Sequence, residues 1–314
     1  MNREKLKALL ALLIGTLIGS TIIPVFIRTG VATMPPVLFT FLRASFTAIF
    51  AAILLGPQLK PLIKEAKKTL QPILSLGLFL GSNILLFSIG IPHTTLVVSQ
   101  LLYAILPFTT GIVGIVLLKE KMPAKKILGA ALAAAGIVAL IIFSRDNAQR
   151  LSLGTWYGNG IILLAVGFYT MYFIFSKKFS RIYSPLVLVA TSTLGTAILL
   201  LPLALVTVFK TNLSQITPAS WLSVIGIGVV SVVFFFLTQY GLKRLSTVTS
   251  AIITQLGPIF AAGTGIVLYG ERISLILIIS LFLVSTGVFF SLQTEQTSFK
   301  DKLVYFWEKL KSRI

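Results

Sequence analysis

The chain has 314 residues, 56% hydrophobic and only 11% charged, with a mean hydropathy of +0.98. A water-soluble protein carries roughly a quarter charged residues, so two soluble domains of this total length are excluded. With no cysteine, one histidine and eight carboxylates, the chain offers no disulfide framework or thiolate metal site and little for an acid–base enzyme; no cofactor or metal is expected.

Charge-free runs mark the expected membrane helices in chain order. Ala8–Ile27 is span one, and it reads as a retained anchor because it is too long for a cleaved signal. Pro35–Leu55 is span two, interrupted only by Arg43. Thr69–Leu118 lacks any Lys, Arg, Asp or Glu and is too long for one crossing, so Gly90-Ile91-Pro92-His93 divides it into spans three and four. Ile127–Phe143 is span five. Thr155–Phe175, Pro185–Phe209, Ala219–Leu242, Thr247–Tyr269 and Ile273–Leu292 are spans six to ten.

The net charge of +19 belongs to the loops rather than to a nucleic-acid face, since no basic surface with interleaved aromatics is evident. With the N-terminus inside, twenty-one of the 27 Lys and Arg fall on inner segments. Five fall on outer segments (Arg28, Arg145, Arg150, Lys210, Arg272), and Arg43 lies within a span. Basic residues of short loops set orientation. Both termini are therefore expected in the cytoplasm of a multi-pass plasma-membrane protein.

A shift of 151 positions aligns the halves: Gly90 falls on Gly241, Ser99 on Ser250, Pro107 on Pro258, Glu120 on Glu271 and Gly136 on Gly287. Apolar matches arise between any two membrane segments; glycine, proline and glutamate in one register do not. Five spans per unit is odd, so the second copy enters the membrane inverted. Such repeats build many secondary transporters, with the solute site near the midplane between copies. The expected fold is an all-α integral membrane protein of ten transmembrane helices in two inverted five-helix repeats. Residues 1–7 form a cytoplasmic start, 8–143 the first repeat, 144–154 an external linker, 155–292 the second repeat and 293–314 a cytoplasmic tail.

These residues resemble the drug/metabolite transporter superfamily in its EamA-domain branch. The resemblance rests on Tyr240-Gly241-Leu242, Ser250-Ala251, Gly257-Pro258 and Gly270-Glu271-Arg272, and in the first half on Pro36 with Arg43, Ser99, Leu106-Pro107 and Lys119-Glu120-Lys121. Ile91-Pro92-His93 departs from the pattern where the second unit has Leu242-Lys243-Arg244. The resemblance implies export of amino acids, nucleosides or similar metabolites. It also implies a cavity lined by spans one, three, four, six, eight and nine.

Arg43 is the intramembrane charge, and it needs a partner or a wet cavity; the choices are carbonyls, hydroxyls, a helix-end glutamate or a solute anion. Pro107 and Pro258 read as kinks inside spans four and nine, freeing the carbonyls of Tyr103 and Thr254. Glu120 and Glu271 end those spans and are expected to cap the next helix, begun by Pro123 or Ser274. Cavity candidates are Thr16, Ser20, Ser82, Asn83, Phe87, Ser99, Gln100, Tyr103, Tyr169, Tyr172, Phe235, Thr238, Gln239, Ser250, Thr254 and Gln255. Serine and threonine often only hold helices together, whereas the four amides need several partners. His93 reads as a solvated loop residue. Gly129, Ala130, Ala133 and Gly136 form a small-residue stripe for close packing, within the chain or at a dimer contact, in a monomer or homodimer. Phe299, Leu303, Phe306, Leu310 and Ile314 stripe the tail, expected to lie on anionic lipids.

The function that follows is a secondary transporter for a small organic solute, working by alternating access. Alternatives are a proton-coupled multidrug exporter and a non-transporting scaffold or receptor. An intramembrane lipid enzyme would want paired intramembrane acids or histidines, and an ATP-driven pump a Walker motif; neither is present.

Overall fold

A computed structural model describes residues 3–58, 66–106, 153–179, 182–245, 253–254, 256–287 and 289–290, with scattered positions between 109 and 142. Every element it defines is helical, as hydrocarbon demands of a backbone that must satisfy its own hydrogen bonds. The elements are α1 (Arg3–Ser20), α2 (Ile22–Gly30), α3 (Pro36–Leu55), α4 (Ala66–Gly90), α5 (Leu96–Tyr103), α6 (Trp156–Phe179), α7 (Pro185–Lys210), α8 (Pro218–Arg244), α9 (Gly257–Tyr269) and α10 (Leu275–Gly287).

Six helical stretches among the described residues are long and apolar enough to cross a membrane: Leu6–Gly30, Pro36–Leu55, Ile73–His93, Trp156–Ser176, Pro185–Lys210 and Pro218–Gly241. They correspond to expected spans one, two, three, six, seven and eight. The protein is a multi-pass membrane protein. Span four is described as α5 and then a turn at Ala104 and Ile105. Span nine is seen as the shorter α9, and span ten as α10. Seven of the seventeen positions of span five, Ala130 and Ala133 among them, the linker 144–152 and the tail 293–314 lie outside the described residues.

Local chemistry sets the ends. Pro36, Pro185 and Pro218 occupy first-turn positions, where a missing N–H is harmless. The side chains of Thr95, Ser184 and Thr217 accept the backbone N–H of Val98, Val187 and Ser220, satisfying donors each helix start leaves open. Span one breaks at Thr21 between α1 and α2. Pro24 cannot donate to the carbonyl four residues back, which is that of Ser20, and the Leu17 carbonyl accepts both the Thr21 N–H at 3.0 Å and the Thr21 hydroxyl at 2.6 Å.

The two halves interlock. α1 packs on α8 and α6 on α4; α3 packs on α8 and α7 on α4; α3 and α7 pack on each other. Glycine permits the closest crossings. A Cβ on Gly77 would strike the backbone of Gly195, and one on Gly195 the carbonyl of Ile73. A Cβ on Gly90 would lie 2.9 Å from Ile162 Cδ1 of α6, and one on Gly241 2.8 Å from Leu12 Cβ of α1. Gly136 is likewise close-packed within the chain: its Cβ would lie 3.0 Å from the Ser280 carbonyl of α10. Its tight contact is therefore not a dimer contact. Outward faces carry Ile53, Leu54, Leu203, Leu222 and Phe282, all exposed, an apolar surface suited to lipid.

Candidate functional site: a cavity between the halves

A cavity of about 170 Å³ lies between the two halves. Span one contributes Leu12, Thr16, Gly19, Ser20, Ile23, Pro24 and Ile27. α4 adds Asn83, Ile84 and Phe87, and α5 adds Gln100 and Tyr103. α6 adds Tyr169 and Phe173, α8 adds Phe234, Phe235 and Thr238, and Thr254 lines it from span nine. These are the spans the family resemblance implied, joined by α3 through Arg43.

Aromatic rings make much of its wall. Phe87 meets Tyr103 edge-on at 5.7 Å, Tyr103 meets Tyr169 at 5.7 Å, and Tyr169 stacks on Tyr172 at 5.7 Å. Tyr172 reaches Phe235 at 6.3 Å, which touches Phe234 at 4.9 Å. The rings run from the first half to the second. Asn83 fixes one end: its Nδ2 donates to the Tyr103 phenol and to the Ala165 carbonyl, the latter at 2.9 Å. One amide thus ties α4 to α5 and α6.

Arg43 is 4% exposed. Its Nε and Nη2 donate to Ser231 Oγ of α8 at 3.3 and 3.2 Å. The expected partner is thus a hydroxyl, and the cavity that an intramembrane charge calls for is there too.

Ten of the residues that the sequence suggests for the cavity line it: Thr16, Ser20, Asn83, Phe87, Gln100, Tyr103, Tyr169, Phe235, Thr238 and Thr254. Three do not. Ser99 Oγ is turned back onto the Leu96 carbonyl at 2.8 Å within its own helix. Gln239 Nε2 donates to Ser176 Oγ at 2.6 Å, pinning α8 to α6. Tyr172 is buried behind the lining ring of Tyr169, its phenol beside Ser176, Ser192 and Gln239. Ser250, Gln255, Pro107 and Glu120 lie outside the described residues. Phe173 and Phe234 were missed. The signal for Phe234 was available, since the 151-residue shift places it on Asn83.

Two expectations are corrected. Pro258 is in the first turn of α9, following a turn at Leu256, and not in the interior of a continuous helix. There its missing N–H is tolerated, so the chain is broken rather than kinked. The turn at Ala104 and Ile105 is its counterpart, because Ile105 falls on Leu256 under the shift. Glu271 does not cap the helix begun by Ser274, whose own Oγ accepts the Leu277 N–H at 3.2 Å. Its carboxylate instead accepts the Leu96 N–H at 2.9 Å and the Val97 N–H at 3.5 Å, at the N-terminus of α5. It also pairs with Arg28 Nη1 at 3.2 Å, and the Arg28 guanidinium lies 4.3 Å over the Tyr269 ring. This clasp joins span one, α5 and the end of α9. It sits beside Ile27, the last residue of α2 to line the cavity.

Comparison with known proteins decides the family. The EamA-like transporter family model matches twice, over residues 6–142 and 156–293. The chain belongs to the EamA-like transporter family. Its relatives include the uncharacterized transporter YetK of Bacillus subtilis (strain 168), 28% identical over 214 residues, or 68% of this chain and 64% of that protein. The chain thus spans just under two thirds of YetK. The uncharacterized transporter YyaM of the same organism is 24% identical over 227 residues, 68% of this chain and 71% of that protein. One solved crystal structure matches 90% of this chain and 95% of its own with a TM-score of 0.61 at 19% identity, a likeness of fold.

Proposed function

We propose that the protein is a secondary transporter that carries a small organic metabolite through this cavity by alternating access, exporting or exchanging it across the plasma membrane. The observation that carries the reading is a central cavity flanked by helix breaks at positions equivalent under the 151-residue shift, Ile105 and Leu256. Discontinuous helices at a repeat interface are the usual setting of a transporter solute site. Two five-helix units, 8–143 and 155–292, in inverted orientation are further supported by the packing. Under the shift α1 corresponds to α6, α3 to α7 and α4 to α8, so the α1–α8 contact maps onto α6–α4 and the α3–α8 contact onto α7–α4. Gly90 on α6 and Gly241 on α1 are such a pair.

In this reading the Glu271 clasp belongs to the outer face, where the charge asymmetry puts Arg28 and Arg272. It bonds span one and α5 of one unit to the other, so it must part whenever that face opens. A proton-coupled multidrug exporter would want a titratable carboxylate in the cavity; no span of the sequence contains Asp or Glu.

Metabolite profiling of the medium of overexpressing cells identifies the solute. Gln100→Ala removes a cavity amide and should weaken affinity for that solute about five- to a hundredfold, the cost of losing a polar partner in a buried site. Gln239→Ala removes the bond to Ser176 instead, and should lower the melting temperature while leaving affinity unchanged. A metabolite profile identical to that of cells without the protein, or unchanged affinity in Gln100→Ala, would remove this cavity as the route.

A further inference from the structure

The geometry points to a solute bearing one anionic group, a carboxylate, on an apolar or aromatic body, with Arg43 as its counter-charge. This deepens the transport reading and rests on it. A guanidinium has five N–H donors and no acceptor. Two of its nitrogens share a single acceptor, Ser231 Oγ, and Arg43 makes no ion pair among the described residues. No span of the sequence carries an Asp or Glu that could reach it. A buried cation whose hydrogen-bond partner among the described residues is one neutral hydroxyl is costly unless something anionic visits, and Arg43 faces the space where a solute would sit.

A second donor stands beside it. The Tyr103 phenol oxygen accepts the Asn83 N–H, which leaves its own O–H to donate, and Tyr103 lines the same cavity within electrostatic reach of Arg43. A planar guanidinium grips a carboxylate with two parallel hydrogen bonds, and the phenol supplies another. The rest of the wall near this pair, Phe87, Tyr169, Phe234 and Phe235, offers ring faces and edges to an uncharged body.

The test uses the purified full chain in detergent at pH 7 and three probes sharing one body: 3-phenylpropionate, 3-phenylpropanamide and 3-phenylpropylamine. A second triplet on a 4-methylpentyl body covers aliphatic solutes. Thermal unfolding is followed as each is titrated. A carboxylate is expected to stabilise the protein with half-saturation at least about tenfold below its amide, and the amine to be weakest. Arg43→Gln should abolish the preference, while Arg43→Lys should keep part of it. Should Arg43→Gln fail to fold, Tyr103→Phe and Ser231→Ala carry the test. Tyr103→Phe should weaken the carboxylate about tenfold and leave the amide unchanged. Ser231→Ala, which removes only the resident hydroxyl, should keep or tighten carboxylate binding. Amides or amines that bind as well as the carboxylates overturn the anionic solute and leave the transport cavity standing. Absence of binding by all six probes overturns the anionic solute with an apolar body, while the metabolite profile and Gln100→Ala decide the transport cavity separately. Stabilisation by phosphatidylglycerol alone that is lost in Arg43→Gln would assign the charge to a lipid headgroup, and overturn the solute.

Discussion

Replacing Glu271 by glutamine keeps the side chain's shape and one acceptor oxygen but deletes the charge. Among the described residues the carboxylate has three partners: Arg28, and the Leu96 and Val97 N–H groups at the start of α5. A hydrogen bond to a charged group contributes about 1.5–3 kcal/mol, and a negative charge at a helix N-terminus about 0.3–1 kcal/mol. The pair with Arg28 is discounted because the arginine side chain is 23% exposed, against 7% for the glutamate. Since glutamine still accepts one N–H, the net loss is about 1–3 kcal/mol. If the clasp holds the outer face shut, that loss shifts the closed-to-open equilibrium about 5- to 150-fold. The chain has no cysteine, so a single Ser20→Cys in the cavity reports access without background. Its labelling by an impermeant maleimide from outside right-side-out vesicles should accelerate by that factor in Glu271→Gln. Arg28→Gln should do the same, and the double variant should gain little more, because the two groups share one interaction. Unchanged outside labelling in Glu271→Gln, or strict additivity in the double variant, would refute the clasp as an outer gate.

Three further outcomes are expected. Gly195→Ala drives a Cβ into the Ile73 carbonyl at the α7–α4 crossing, where only backbone can yield; its melting temperature should fall by several degrees or folded protein should be lost, and an unaltered melting curve would contradict that crossing. Cysteines at Gln58, after α3, and Gln215, before α8, should label from inside and outside respectively, and labelling from one side would remove the inverted arrangement. An imposed pH gradient should fail to drive uphill accumulation of the identified solute in proteoliposomes, because no carboxylate lies within any span; proton-driven accumulation would require a titrating group that the spans do not carry.

The spans were legible because the bilayer enforces them: an apolar run of about 20 residues has few other fates, and each edge is written in proline, serine, threonine or lysine. The breaks were not. Ala104 and Ile105 are unremarkable in a helix, and Pro258 looks the same in sequence whether it kinks a helix or begins one. What distinguishes the cases is whether α9 continues the preceding turn, which tertiary packing decides. The amides make the same point more sharply. Gln100 and Gln239 were equivalent as polar residues in apolar runs; a serine 63 positions away, Ser176, converts Gln239 into a tie between helices, while Gln100 is left facing the cavity. Arg43 announced itself as a charge in hydrocarbon, yet its partner Ser231 is 188 residues distant and carries no local signature. Glu271 was readable as a helix-end carboxylate, but the helix it serves lies 175 residues earlier.

The long reach of those partners is informative in itself. Within a helix, a polar side chain can always turn back on its own backbone, as Ser99, Thr16 and Thr47 do, and such bonds survive any rigid movement of the helix. Bonds between the halves do not: Arg43 to Ser231, Asn83 to the Ala165 carbonyl and Arg28 to Glu271 each join sequence before residue 150 to sequence after it. A machine that rocks one half against the other must keep most helix-to-helix contact apolar and sliding, and confine directional bonds to places that either never move or must let go. The glycine crossings, with backbone against backbone at Gly77 and Gly195, suit the first role, since their contact offers no rotamer to adjust. The clasp at Glu271 suits the second. It is a single carboxylate whose three partners lie at one end of the cavity, so rupture there exposes few buried polar groups at once. Arg43 suits neither role, and its tether to the Ser231 hydroxyl leaves it able to exchange that partner for a passing anion at little cost.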